Sequence, residues 1–280
     1  MPAPILYEQH MHTPLCKHAS GLPTDYAARA LEVGLKGIVV TCHNPLPDGI
    51  SSSVRMAESQ WQEYQDLVQQ TREQWAGKID VRLGVEADWL PGLESYLEKQ
   101  LASAPLNHVL GSVHPQIPEY REKFWKNDPL QYHKDYFSNL VLAAKTGLYD
   151  TLSHPDLVKN CFADHWDIAA MMDHIRHCLD DIAKTGIAME LNTSGILKII
   201  KEFNPAPSIL KEMCQRKIPC VIGADAHTAK RVGDGYVPAL DLLQACGYEQ
   251  VSFFLDRKRH DIPITKARES LTSNCISHLS

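Results

Sequence analysis

Eight short runs rich in Val, Ile and Leu recur along the chain, most of them followed by a stretch of helical composition. This alternation narrows the fold more than any other feature. The runs are ILYEQH (5–10), GIVVTCH (37–43), DVRLGVEAD (80–88), HVLGSVH (108–114), YDTLSHPD (149–156), IAMELNTS (187–194), CVIGADAH (220–227) and VSFFLD (251–256). Between them the spacing predicts helices over 24–34, 56–76, 133–147, 166–186 and 207–217. The first has Thr24 as N-cap and Gly34 as its stop. The last opens on Pro207 and Ser208 and carries Ile209, Leu210 and Met213 on one face. Strands alternating with helices imply an α/β fold with a parallel sheet buried on both faces. Seven or eight such units suit a closed barrel. An open doubly wound sheet is the alternative, but no GxGxxG follows the first run. One barrel domain over residues 1–280 is therefore expected.

In α/β barrels, functional side chains sit where strands end. Those positions hold His10 and His12, His43, Glu86, His114, His154, and Asp225 with His227, while His18 follows in the first loop. With 14 histidines in the chain, one HxH pair is unremarkable. A recurrence at the same phase of successive units is not. Residues two apart on a strand point the same way, so His10 with His12, and Asp225 with His227, can face one ion. Imidazole and carboxylate are donors for Zn²⁺, Mn²⁺ or Fe²⁺. His108, His133, His165, His174, His177, His260 and His278 fall at strand starts, in helical segments or in the tail, and read as ordinary residues.

The formal charge is −6, which offers no basic stripe to long nucleic acids. No run of apolar residues is long enough to span a membrane, and the start lacks a signal-peptide pattern. The eight cysteines (Cys16, Cys42, Cys161, Cys178, Cys214, Cys220, Cys246 and Cys275) are scattered without CxxC spacing and read as reduced thiols. A cytoplasmic location is expected; the oligomeric state is not legible.

HMHTPLCKHASG, VVTCHNPLPDGISSSVRM, LGVEADW, LGSVH, LSHPDLVKN, ELNTSG and IGADAH, in this order and spacing over about residues 6–240, resemble the PHP (polymerase and histidinol phosphatase) family, in its histidinol-phosphatase branch. The resemblance implies a distorted (β/α)7 barrel with three divalent ions, of Zn, Mn or Fe, at the C-terminal ends of its strands. His10, His12, Glu86 and Asp225 would hold one. Glu86, as a bridge, with His114 and His154 would hold the second, and His18, His43 and His227 the third. Two neighbours depart from the family pattern: Glu8 stands at a common aspartate, and Cys42 replaces the acid of the usual TDH. Clustered cations would bind the oxygens of a phosphate monoester and supply a hydroxide nucleophile between two of them. Glu86, Asp225 and His227 are the candidates for direct catalytic roles.

The implied substrate is L-histidinol phosphate, a small phosphorylated metabolite. Arg55, Lys159, Lys198 and Arg231 are candidate grips for its phosphate, with Leu197 at a common family arginine. Residues 115–131 would cap the site. The rival readings are a phosphodiesterase or nuclease, a non-catalytic metal-binding module, and an amidohydrolase-type barrel. The last usually bridges its metals with lysine, where this chain places Glu86.

Overall fold

The computed structural model describes residues 3–271; Cys275 and His278 lie outside them. Among the described residues, nine strands form one sheet: β1 (Tyr7–Glu8), β2 (Gly37–Val40), β3 (Asp80–Asp88), β4 (His108–Ser112), β5 (Thr151–Leu152), β6 (Ala188–Asn192), β7 (Cys220–Gly223), β8 (Gln250–Leu255) and β9 (Lys258–Pro263). Their order in the sheet is their order in the chain. Neighbours from β1 to β8 pair in parallel, and only β8–β9 is antiparallel. The structure is thus an α/β fold with a parallel-rich nine-stranded sheet.

The helices are α1 (Pro23–Glu32), α2 (Trp61–Gln74), α3 (Glu94–Ala102), α4 (Pro118–Phe124), α5 (Pro129–Lys145), α6 (Ile168–Thr185), α7 (Pro207–Gln215), α8 (Tyr236–Ala245) and α9 (Ile264–Ser270). On α7, Ile209, Leu210 and Met213 are all fully buried. Every residue of β2, β6 and β7 is buried, as a parallel sheet covered on both faces requires.

Three local expectations change. The helix expected from Thr24 is capped two residues earlier, at Leu22. Pro23 takes the first helical position, Asp25 accepts from Leu22 N at 2.8 Å, and Thr24 Oγ1 instead accepts from Trp75 Nε1 at 2.9 Å. The run VSFFLD forms most of β8, bonded to β7, and the sheet is extended by β9, which the apolar pattern does not show. The polar KRHDIP pairs because Asp256 and Arg257, both at positive φ, close a two-residue hairpin turn. The regular parts of β1 and β5 are only two residues long, because the chain leaves regular pairing early to present its polar ends. Isolated bridges carry the pairing further, joining His43 to Glu86 and Met11 to Ala226. At the other end of the strand order, Tyr7 stacks on Phe253 at 5.3 Å, and Gln9 Oε1 accepts from Phe254 N at 2.9 Å.

No helix among the described residues is long and apolar enough to cross a membrane. The seven described cysteines are all free thiols.

Candidate metal centre

The polar strand ends meet because of the pairing just beyond the regular strands. His12 N donates to Ala226 O at 2.9 Å and Ala226 N donates to His10 O at 3.0 Å, which sets HMH beside DAH. His43 bridges Glu86, and Asp88, two residues on, shares the Glu86 face of β3. His154 and Asp225 sit at φ 29° and 48°, in the left-handed region. Such a conformation costs about 1–3 kcal/mol each and persists only where the surroundings over-determine it.

Glu86 is the hub. Its Oε2 lies 2.8 Å from His43 Nδ1 and 3.5 Å from both His10 Nε2 and His12 Nε2. Its Oε1 lies 3.0 Å from His154 Nε2, 3.6 Å from His114 Nε2 and 2.5 Å from Ser112 Oγ. Asp225 Oδ1 stands 3.1 Å from His12 Nε2, 3.6 Å from His10 Nε2 and 3.4 Å from His227 Nδ1. Asp225 Oδ2 accepts from Ser194 Oγ at 2.9 Å. His18 joins through His227, with their Nε2 atoms 2.9 Å apart.

Outer partners aim the rings. His10 Nδ1–H donates to Glu190 at 2.7 Å and His114 Nδ1 lies 3.0 Å from Asp88 Oδ1, which turns each Nε2 inward. The donor set fits cations. His10 Nε2, His43 Nδ1 and Glu86 Oε2 are buried without hydrogen-bond partners, and all three belong to the same cluster. Buried polar atoms are ordinarily paired, so converging orphans of this kind mark a cation-binding arrangement. Two triads with mutually close donor atoms are His10–His12–Glu86 and His43–Glu86–His114. Burial alone would raise the Glu86 carboxyl, but His43, His10 and His114 outweigh it and hold it well below the usual carboxylate range. Burial pushes the His227 imidazole down to about 3 and that of His43 to about 4, leaving both neutral donors.

The PHP domain family matches residues 8–194. The chain belongs to this family. A Deinococcus radiodurans protein named a probable histidinol-phosphatase is 37% identical over 254 residues, covering 89% of this chain and 96% of that one. The histidinol-phosphatase of Bacillus subtilis is 28% identical over 272 residues, covering 83% and 97%. A similar fold, with TM-score 0.76 and 19% identity, is that of the Lactococcus lactis histidinol phosphate phosphatase solved with zinc, L-histidinol and phosphate; 91% of this chain and 98% of that one are covered.

The two departures from the PHP pattern take different parts. Glu8 touches no inward ring nitrogen; its carboxylate accepts from the backbone N–H of His10, Ala224 and Gly233 at 3.1, 2.9 and 3.0 Å, which pins β1 to the loops after β7. Cys42 Sγ accepts from Thr13 N and Oγ1 at 3.4 and 3.2 Å.

Of the four expected phosphate grips, only Lys198 lines the mouth, a cavity of about 250 Å³ walled also by His18, His43, His114, His154 and His227. Arg55 is a correction: it is 2% exposed and bonded to Asp88 at 2.5 Å and Asn44 O at 2.9 Å, so its charge is already spent inside the protein. Lys159 is a second. It is fully buried, with Asp156 at 3.2 Å, Glu202 at 3.1 Å and Phe203 O at 2.8 Å. Arg231 is a third, pairing with Asp234 three residues on. Of the 115–131 segment, Gln116 reaches the cavity; Pro118–Phe124 folds into α4, whose Tyr120 is buried.

Asp88 and Glu190 escaped the sequence reading. Both carried a signal, since Asp88 is two residues from Glu86 and Glu190 lies in the strand IAMELNTS, where an acid among apolar residues needs a partner. Gly223 guards that partner. A Cβ there would stand 2.1 Å from Glu190 Oε1 and 2.7 Å from His10 Cβ. Gly223→Ala is therefore expected to cost about 10–100-fold in metal affinity or turnover, the usual loss when an outer partner is disturbed. Metal titration beside steady-state kinetics checks this, and wild-type values for both would refute it.

Proposed function

We propose that the chain is a metal-dependent phosphomonoesterase that hydrolyses L-histidinol phosphate to L-histidinol and phosphate. The observation that carries the reading is Glu86 placed among five inward imidazoles at the mouth of a small cavity. The two relatives named as histidinol-phosphatases match nearly their whole length and support the substrate.

In this reading the chain is one domain whose sheet closes as a barrel, with the Met11–Ala226 bridge as support. Three ions would be shared among nine residues. His10, His12, Glu86 and Asp225 would hold the first, Glu86, His114 and His154 the second, and His18, His43 and His227 the third. Bound divalent ions polarise a phosphoryl oxygen and lower the pKa of water enough to supply a nucleophile.

The protein's part is preorganisation. Glu190 and Asp88 fix the tautomers of His10 and His114, and Ser112 and Ser194 orient the carboxylates of Glu86 and Asp225. Asp225 and the partly exposed His227 stand between the buried cluster and the cavity, where a proton can pass to solvent. Lys198 brings a cation to the substrate phosphate from the open side. Lys198→Ala is expected to raise KM about tenfold with a smaller fall in kcat. Lysine supplies a point charge here, so Lys198→Arg recovers part of the loss. An unchanged KM would remove Lys198 from the site.

The deciding experiment is phosphate release from L-histidinol phosphate, other phosphomonoesters and bis-p-nitrophenyl phosphate. It uses protein loaded with Zn²⁺, Mn²⁺ or Fe²⁺, with His10→Ala as control. A kcat/KM highest on histidinol phosphate and lost in the variant supports the proposal. Equal turnover of all monoesters would discard the substrate, a diester preference would favour the phosphodiesterase reading, and no turnover at full metal content would discard the enzyme.

A further inference from the structure

Two thiols adjoin the histidine cluster, and the reading above uses neither. Cys16 Sγ and a ring nitrogen each of His18 and His227 lie within 4.8 Å of one another. A second such group joins Cys16 and Cys42 with His12. Cys16, Cys42 and His12 are fully buried, and His12 Nδ1 has no hydrogen-bond partner. The local backbone brings this about. The single turn Pro14–Cys16 ends on Lys17 at φ 69°, which reverses the chain and sets Cys16 and His18 on the same side as His227.

The two histidines are poised as donors. His18 Nδ1 lies 2.7 Å from Cys16 O and His227 Nδ1 lies 3.1 Å from Asp225 O. A carbonyl only accepts, so each Nδ1 carries the proton and each Nε2 keeps its lone pair. The two Nε2 atoms stand 2.9 Å apart at the exposed edge, close enough to share one ion. The sulfurs differ. Thr13 satisfies Cys42 from its own backbone and hydroxyl, whereas the Cys16 sulfur is grouped with ring nitrogens of His12, His18 and His227 and with Cys42.

We propose that Cys16 supplies a thiolate to the ion held by His18 and His227, so that this edge of the centre is a nitrogen–sulfur site for a thiophilic ion such as Zn²⁺. The Glu86 side keeps nitrogen and oxygen donors. One centre therefore offers two grades of softness, and the ion at the Cys16 edge is selected by ligand type rather than by availability alone. On binding, the S–H bond breaks, its proton leaves to solvent and the sulfur lone pair forms the metal bond.

The inference rests on the multinuclear reading of the site, and the test separates the two. Zinc-loaded protein, its metal content measured, is examined by X-ray absorption at the zinc edge. A sulfur shell at about 2.3 Å is expected beside nitrogen and oxygen at about 2.0–2.2 Å. Cys16→Ser removes the sulfur shell and Cys42→Ser keeps it. Should Cys16→Ser fail to fold, cobalt-substituted wild-type protein gives a second readout: a thiolate-to-cobalt charge-transfer band in the near ultraviolet. Full metal content with nitrogen and oxygen donors alone, and no such band, overturns the role of Cys16 and leaves the phosphatase reading standing. So does a sulfur shell that survives Cys16→Ser and vanishes in Cys42→Ser. Protein that takes up no metal overturns the site itself.

Discussion

Glu86→Gln is expected to lower phosphate release from L-histidinol phosphate by at least about a hundredfold, with a matching loss of bound metal. Loss of an outer partner typically costs 10–100-fold, and Glu86 lies in the innermost layer. Glutamine keeps the volume but removes one acceptor oxygen and the negative charge. The substitution therefore tests charge and ligation, not packing. Seven nitrogen and hydroxyl contacts converge on the two carboxylate oxygens, four on Oε1 and three on Oε2. In the proposed assignment every other ligand serves one ion, whereas Glu86 serves two. Its loss should exceed that of any single histidine, His154→Ala for instance. Elemental analysis, circular dichroism and steady-state kinetics on the same samples decide the matter. Wild-type metal content with near wild-type kcat/KM would remove Glu86 from the centre. A loss of activity with metal retained would make it a positioning residue.

Much of this arrangement was legible because two periodicities coincide in one chain. The strand period brings His10 with His12, and Asp225 with His227, onto shared faces, while the strand–helix beat places those pairs at one end of the sheet. What escaped the reading falls into two physical kinds. Local polar runs pair when a turn forces them together, as at Asp256–Arg257, and no apolar pattern announces this. Cations are harder still. Arg55, Lys159, Lys198 and Arg231 look alike in sequence, and only three-dimensional placement tells a charge held by buried acids from one open to a ligand. Asp88 is the acid that decides the case of Arg55, and its distance from Glu86 in the chain already puts it on the face of β3 that carries Glu86.

Arg55→Met is the sharpest test of that distinction. Were Arg55 a phosphate grip, its loss would raise KM and leave the melting temperature alone. The structure requires the reverse. Arg55 Nη2 lies 2.5 Å from Asp88 Oδ2, and Asp88 Oδ1 lies 3.0 Å from His114 Nδ1 and 3.9 Å from His43 Nδ1. Methionine leaves Asp88 as a buried anion facing only imidazoles, and breaking a buried pair on one side costs about 3–5 kcal/mol. At roughly 2–4 °C per kcal/mol this lowers Tm by about 10 °C. Burial alone would raise the Asp88 carboxyl, but Arg55 and His114 hold it far below its usual range; without Arg55 the carboxylate loses the contact that holds its other oxygen, and its alignment on His114 loosens. Metal affinity should therefore fall along with stability. The double variant Arg55→Met/Asp88→Asn separates the two effects. Removing both charges recovers much of the lost stability, yet His114 still lacks its carboxylate, so metal affinity stays low. Calorimetry and metal titration on the single and double variants check this. A Tm within a degree of wild type in Arg55→Met, with KM raised, would return Arg55 to the substrate.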